Sequence, residues 1–120
     1  MERADIAIIG TGPGGVSAAL TAKVRNKNIL LIGKKQMSDK VSKAHQIMNY
    51  PGLPAVTGAD MAKAFEKQLA MMEINITDSR IGTVYAMGDY FAIQAGGEVL
   101  EAKSVILACG VVSGKTLPGE

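Results

Sequence analysis

The sequence predicts an α/β fold built on a parallel sheet, and three observations carry that expectation. An apolar strand runs straight into a glycine-rich turn and a helix. A second apolar strand follows that helix, and after Glu73 the apolar period changes from helical to two. The first observation is the run Ile6-Ala7-Ile8-Ile9-Gly10-Thr11-Gly12-Pro13-Gly14-Gly15, which contains GxGxxG at the end of a strand. In such a turn Gly10 permits the tight bend, Gly12 lets a pyrophosphate approach the backbone, and Gly15 lets the helix pack closely on the strand. A helix N-terminus presents unpaired N–H donors and about half a positive charge, so phosphate oxygens are held there without a cationic side chain. Gly10, Gly12, Pro13, Gly14 and Gly15 are therefore candidate residues of a dinucleotide cradle.

Beyond the turn, Val16, Leu20 and Val24 recur every fourth residue with Ala18, Ala19 and Ala22 between them, the stripe of a helix lying on a sheet. Asn28-Ile29-Leu30-Leu31-Ile32 reads as a second, buried parallel strand, which completes a βαβ unit. The dinucleotide fingerprint wants an acidic residue at the end of this strand to hold a ribose hydroxyl. Gly33, Lys34 and Lys35 stand there instead. A missing acid followed by lysines suits a 2′-phosphate, so from the residues alone NADP is an open alternative, as is a solvated loop.

Lys34 to Met48 is a polar connection without periodicity, ending in Asn49-Tyr50-Pro51-Gly52-Leu53-Pro54, whose prolines and glycine impose an extended, turning path. Thr57 and Asp60 supply an N-cap and a first-turn negative charge for a helix whose buried stripe is Met61, Phe65, Leu69 and Met72. These methionines read as core filler. Ile74 and Ile76 mark a short strand. Ile81–Ala86, Tyr90–Gln94 and Val99–Ala102 are expected as three strands of an antiparallel meander with glycine at the corners, and Val105-Ile106-Leu107-Ala108 as a further buried strand that ends at Cys109-Gly110.

The chain has 120 residues, 48% of them apolar, and a mean hydropathy of +0.17, enough for one core and unlike a disordered segment. Thirteen basic and 11 acidic residues are spread along it for a net charge of +2, so no basic stripe invites nucleic acid. No apolar run approaches the ~20 residues of a membrane helix, and no signal-peptide core precedes the first strand, so a cytoplasmic protein without membrane contact is expected. The single cysteine excludes an internal disulfide or a CxxC within these residues.

Taken in order, GTGPGG, a loop closing on NYPGLP, a helix capped by Thr57-Gly58, a meander, VILACG and a terminal LPGE span essentially the whole chain. Together they closely resemble the N-terminal FAD-binding segment of thioredoxin reductase and its relatives among the pyridine nucleotide-disulfide oxidoreductases. The resemblance implies a three-layer, Rossmann-like FAD/NAD(P)-binding fold of parallel sheet, helices and antiparallel β-meander, here incomplete. It places Gly10, Gly12 and Gly15 at the FAD pyrophosphate, Asn49 near the flavin, and Ala108, Cys109 and Gly110 beside the cofactor. Some family members also carry glycine where Gly33 stands, so the absent acid does not exclude FAD. The sequence departs from the family at Ser38-Asp39-Lys40-Val41, where a GGQL-like turn is usual, and at Cys109, where the family has threonine.

The resemblance further implies a discontinuous domain: residues 1–114 as its first segment, 115–120 as a linker toward a nicotinamide-binding domain, and a later return segment that adds a last parallel strand. Residues 1–120 alone would then hold FAD weakly or not at all and lack a catalytic residue, with NAD(P)H bound only by the further domain. Family members commonly pair, which implies a homodimer. Cys109 at a strand end reads as a small buried hydrophobe, and His45 as a solvated loop residue. The rival classes are a stand-alone NADP-binding module and an interaction domain without ligand.

Overall fold

In the computed structural model, which describes residues 3–35, 41 and 43–110, the chain runs β1 (Ala4–Ile9), α1 (Pro13–Val24), β2 (Ile29–Gly33), α2 (Gly58–Met71), β3 (Ile76–Asp78), β4 (Ile81–Ala86), β5 (Phe91–Ala95) and β6 (Glu98–Leu107). The six strands form one sheet in the order β3-β2-β1-β6-β5-β4. β3, β2, β1 and β6 are mutually parallel, while β6, β5 and β4 are antiparallel hairpin neighbours. The right half is thus a meander and the left half a βαβ sheet.

One expectation is corrected here. Val99–Ala102 and Val105–Ala108 are not separate strands but the two halves of β6, so the meander is hydrogen-bonded into the parallel sheet rather than standing apart from it. Ala102 is the junction, paired with Phe91 on one side and Ala4 on the other. Past it, Ser104 to Leu107 pair with Ile6 to Ile9, and among the described residues no strand flanks their other edge. The second half is also not buried: Ile106 is 40% and Leu107 71% exposed.

Two clusters fill the sides of the sheet. On the helix side Ile8 and Leu31 meet Val16 and Ala19 of α1, Met61, Phe65 and Leu69 of α2, and Ile74. On the other side Ala7 and Ile32 share a cluster with Ile93, Ala95, Leu100 and Ala102 of the meander, which covers the second face of the parallel strands and makes the third layer. Ala4 and Ala7 belong to this same cluster although three residues apart. The amides of Asp5 and Ile6 both donate to the Asn28 carbonyl, at 2.8 and 3.3 Å, so the alternation of side chains skips a step between them.

The helices obey their caps and periods. Thr57 Oγ1 accepts from the Asp60 amide at 3.1 Å, and Asp60 sits in the first turn of α2. A Cβ on Gly58 would overlap the carbonyl of Val41, so only glycine lets the preceding loop cross the helix start. In α1 the buried residues are Gly15, Val16, Ala19 and Ala22. Val24 is 69% exposed, against the expected fourfold spacing, because eight residues at 3.6 per turn drift about 80° off the starting face.

The start of β1 is tied down by charge. Asp5 Oδ2 accepts from the Asn28 amide at 2.9 Å, and Lys103 Nζ lies 3.5 Å from Oδ1. The Asn28 N–H and then Lys103 hold the Asp5 carboxyl below its ordinary range. A depressed carboxylate contributes stability above its unfolded pKa, about 3.9, and loses it as pH falls through the lower folded value. Asp5→Asn is therefore expected to melt below wild type near neutrality, with the gap closing as the pH is taken below the unfolded carboxylate pKa of about 3.9. A gap constant across a thermal-melt series in that range would refute the assignment.

Candidate dinucleotide site

The site is built where β1 ends. Gly10 takes φ +121°, a value that L side chains rarely adopt, and turns the chain from strand toward helix. A Cβ there would overlap the carbonyl oxygen of Ala108, whose amide donates to the Ile9 carbonyl at 2.7 Å. A Cβ on Gly15 would overlap the Gly10 carbonyl. Glycine is thus required at both positions by close backbone approaches, one across strands and one between helix and turn.

Gly12 differs. It is the N-cap of α1 in ordinary extended conformation, φ −79° and ψ −170°, and a Cβ added to it meets nothing within 4 Å. Neither conformation nor packing requires glycine there. Pro13 follows as a preorganised first helical residue, and the first intrahelical bond runs from the Val16 amide to the Gly12 carbonyl at 3.0 Å. The amides of Gly14 and Gly15 have no intrahelical acceptor and lie at the positive end of the helix. The loop therefore leaves open space over Gly12 beside first-turn N–H donors that lack intrahelical partners, an arrangement that suits an anion.

Thr11 is the residue that sequence reasoning missed. It is 8% exposed, and its hydroxyl donates to the Lys34 carbonyl at 2.7 Å, tying the glycine loop to the end of β2. A Cβ on Gly33 would lie 2.8 Å from Thr11 Cγ2 and 3.2 Å from Oγ1. The available signal was a hydroxyl inside GxG combined with glycine in place of the acid.

Gly10, Gly12, Pro13, Gly14, Gly15, Gly33, Lys34 and Ala108 are therefore assembled at one end of the parallel strands. Cys109 and Gly110 continue from Ala108. Cys109 is exposed, not buried, its Sγ 3.9 Å from the Ile9 carbonyl oxygen, because no described element lies over the end of β6. Asn49 stands exposed in a loop closed by reciprocal bonds between Ile47 and Val56, at 2.7 and 3.1 Å. Tyr50 and Leu53 bound a turn with Pro51 and a positive-φ Gly52, and Tyr50 packs on Phe65 with ring centroids 5.5 Å apart. No hydrogen bond among the described residues ties Asn49 to the glycine loop. His45 is exposed, as expected, and Ser38, Asp39 and Lys40 of the departing turn and residues 111–120 lie outside the described residues. A groove of about 650 Å³ lies between α1, α2 and residues 50–53, and among its lining residues are the apolar Val16, Leu20, Leu53, Phe65 and Met71.

Residues 4–120 match the family model of the pyridine nucleotide-disulphide oxidoreductases. The chain belongs to that family. Among curated pyridine nucleotide-disulphide oxidoreductase relatives, a thioredoxin reductase from Helicobacter pylori is 37% identical over 109 residues, covering 88% of this chain and 35% of that protein. A 34.2 kDa protein in the rubredoxin operon of Clostridium pasteurianum is 28% identical over 113 residues, with 93% and 37% covered. Among solved structures, a ferredoxin-flavin thioredoxin reductase from Clostridium acetobutylicum superposes with a TM-score of 0.93 at 45% identity, covering all of this chain and 42% of that one. A thioredoxin reductase from Streptococcus pyogenes gives 0.84 at 28% identity, with 97% and 38% covered. The chain therefore corresponds to the FAD-binding region of thioredoxin reductases and spans about two fifths of their length. Among the described residues no helix is long and apolar enough to cross a membrane, and no cluster of His, Cys, Asp or Glu could hold a metal ion.

Proposed function

We propose that this chain holds FAD in a thioredoxin-reductase-like flavoprotein, with the pyrophosphate seated over Gly12. The observation that carries the reading is the open space at Gly12, where glycine serves neither turn nor packing. Gly14 and Gly15 would donate their amides to the phosphate oxygens, while Gly10, Ala108 and Gly15 keep the turn compact enough to aim them. When bound, FAD supplies the two-electron chemistry, passing electrons to a disulfide or other acceptor. The reading assigns no acid, base or nucleophile to residues 1–120. Homodimerisation and a cytoplasmic location belong to it through the resemblance to thioredoxin reductases alone.

The electron donor is NAD(P)H or reduced ferredoxin. The family name favours the first, but the C. acetobutylicum structures named ferredoxin-flavin thioredoxin reductases share 45% and 41% identity with this chain, which supports the second. Anaerobic mixing of the full-length flavoprotein with NADPH or with reduced ferredoxin, followed at the flavin absorption band, separates them by which donor bleaches it. A second reading, a module for NADP, has the exposed Lys34 and Lys35 in its favour. Titration of residues 1–120 with FAD and NADPH decides between the two: FAD is expected to bind the more tightly, though weakly, and a tighter NADPH would overturn the flavin assignment.

A further inference from the structure

The end of β2 is where a dinucleotide fold ordinarily places a carboxylate against the ribose hydroxyls. Here two observations act together. Gly33 has no side chain, and the space that its Cβ would need is taken by Thr11, whose Cγ2 would lie 2.8 Å away. Thr11 is not free to swing aside. It is buried and its hydroxyl is committed to the Lys34 carbonyl at 2.7 Å, so relieving the overlap would break that bond and leave a buried donor unpaired. The hydroxyl therefore points at the protein, and the rim of the site beside it is main chain followed by the exposed Lys34 and Lys35.

We propose that Thr11 is a specificity-determining residue: by occupying the space over Gly33 it excludes the ribose-binding carboxylate and leaves the site without discrimination against a ribose 2′-phosphate. The inference rests on the proposed dinucleotide cradle and adds to it a property of the adenosine end. A carboxylate at position 33 would repel a phosphate on the neighbouring 2′-oxygen, like charge against like charge at close range. Thr11 thus acts through position 33 rather than by touching the ribose.

The structural half is tested without ligand. Gly33→Ala is expected to lower the melting temperature by roughly 4 °C or more in the full chain, through overpacking. In a Thr11→Ala background, where Cγ2 and Oγ1 are gone, Gly33→Ala should cost less than half as much. Equal penalties in the two backgrounds would overturn the steric coupling.

The specificity half uses ADP-ribose and its 2′-phosphate as probes, with affinities by calorimetry. Wild type is expected to bind the two within about threefold of each other, and Thr11→Ala/Gly33→Glu to prefer ADP-ribose by about tenfold or more. A wild type that already rejects the 2′-phosphate, or a double variant that does not, overturns this proposal while leaving the cradle intact. Failure of both probes to bind wild type overturns the cradle and this proposal with it.

Discussion

Gly12→Val is expected to lower affinity for FAD by about a hundredfold or more, equivalent to about 2.7 kcal/mol, while the protein stays folded. The two halves of that expectation come from the same position. The backbone at Gly12 is extended, so a β-branched residue adopts it without strain, and a Cβ there touches no protein atom within 4 Å. Gly12 makes no side-chain cap bond to be lost, and valine is only a poorer N-cap, a cost of roughly 1 kcal/mol or less. The ligand meets a different surface. A pyrophosphate held by the first-turn amides has to lie against the Cα of residue 12, and two methyl groups would fill that space. Gly12→Ala should give an intermediate loss, since one methyl fills part of it. Circular dichroism with calorimetric titration of all three proteins checks both halves together. An intact fold with FAD affinity unchanged in Gly12→Val would refute the flavin assignment.

The parts of the molecule that could be read from sequence are those fixed by short-range chemistry. The βαβ unit follows from apolar runs and glycines within a single stretch, and the Thr57–Asp60 cap spans three residues. β6 could not be read because what unites it is remote. Lys103-Ser104 looks like a polar corner between two strands, yet Ser104 Oγ donates to the Asp5 carbonyl at 2.8 Å and Lys103 pairs with the Asp5 carboxylate. Those partners are nearly the whole chain away, so the polar pair continues the strand across β1 instead of ending it. Thr11 hid for the same reason: its partner, Lys34, lies 23 residues on, and its meaning depends on Gly33 beside it. The exposure of Cys109 is not legible in the sequence because strand-end burial depends on what lies over the strand, a property of the layers and not of the apolar run.

Gly15→Ala should show the opposite pattern from Gly12→Val. Helix propensity alone favours alanine over glycine inside a helix by about 1 kcal/mol, so a purely local argument predicts stabilisation. Backbone overlap outweighs propensity at this position. A Cβ on Gly15 would overlap the carbonyl of Gly10, and neither group has a flexible end that can move aside: one is helix backbone, the other a turn already fixed by φ +121° and by the Ala108 carbonyl. Relief requires α1 to lift from β1, which opens the contact of Val16 and Ala19 with Ile8 and Leu31 in the helix-side core. Losing part of that packing costs about 3 kcal/mol or more, a large fraction of the 5–15 kcal/mol that holds an ordinary domain together. Gly14→Ala is the control one residue earlier. Its Cβ would meet only the Ala108 Cβ, at 3.8 Å, an ordinary contact, so the propensity gain stands and stability should hold or rise slightly. Chemical denaturation of the pair, read for midpoint and slope, is the measurement. Gly15→Ala unfolding at or above the wild-type midpoint would mean that the helix does not sit this close to the turn, and the placement of the first-turn amides over Gly12 would fall with it.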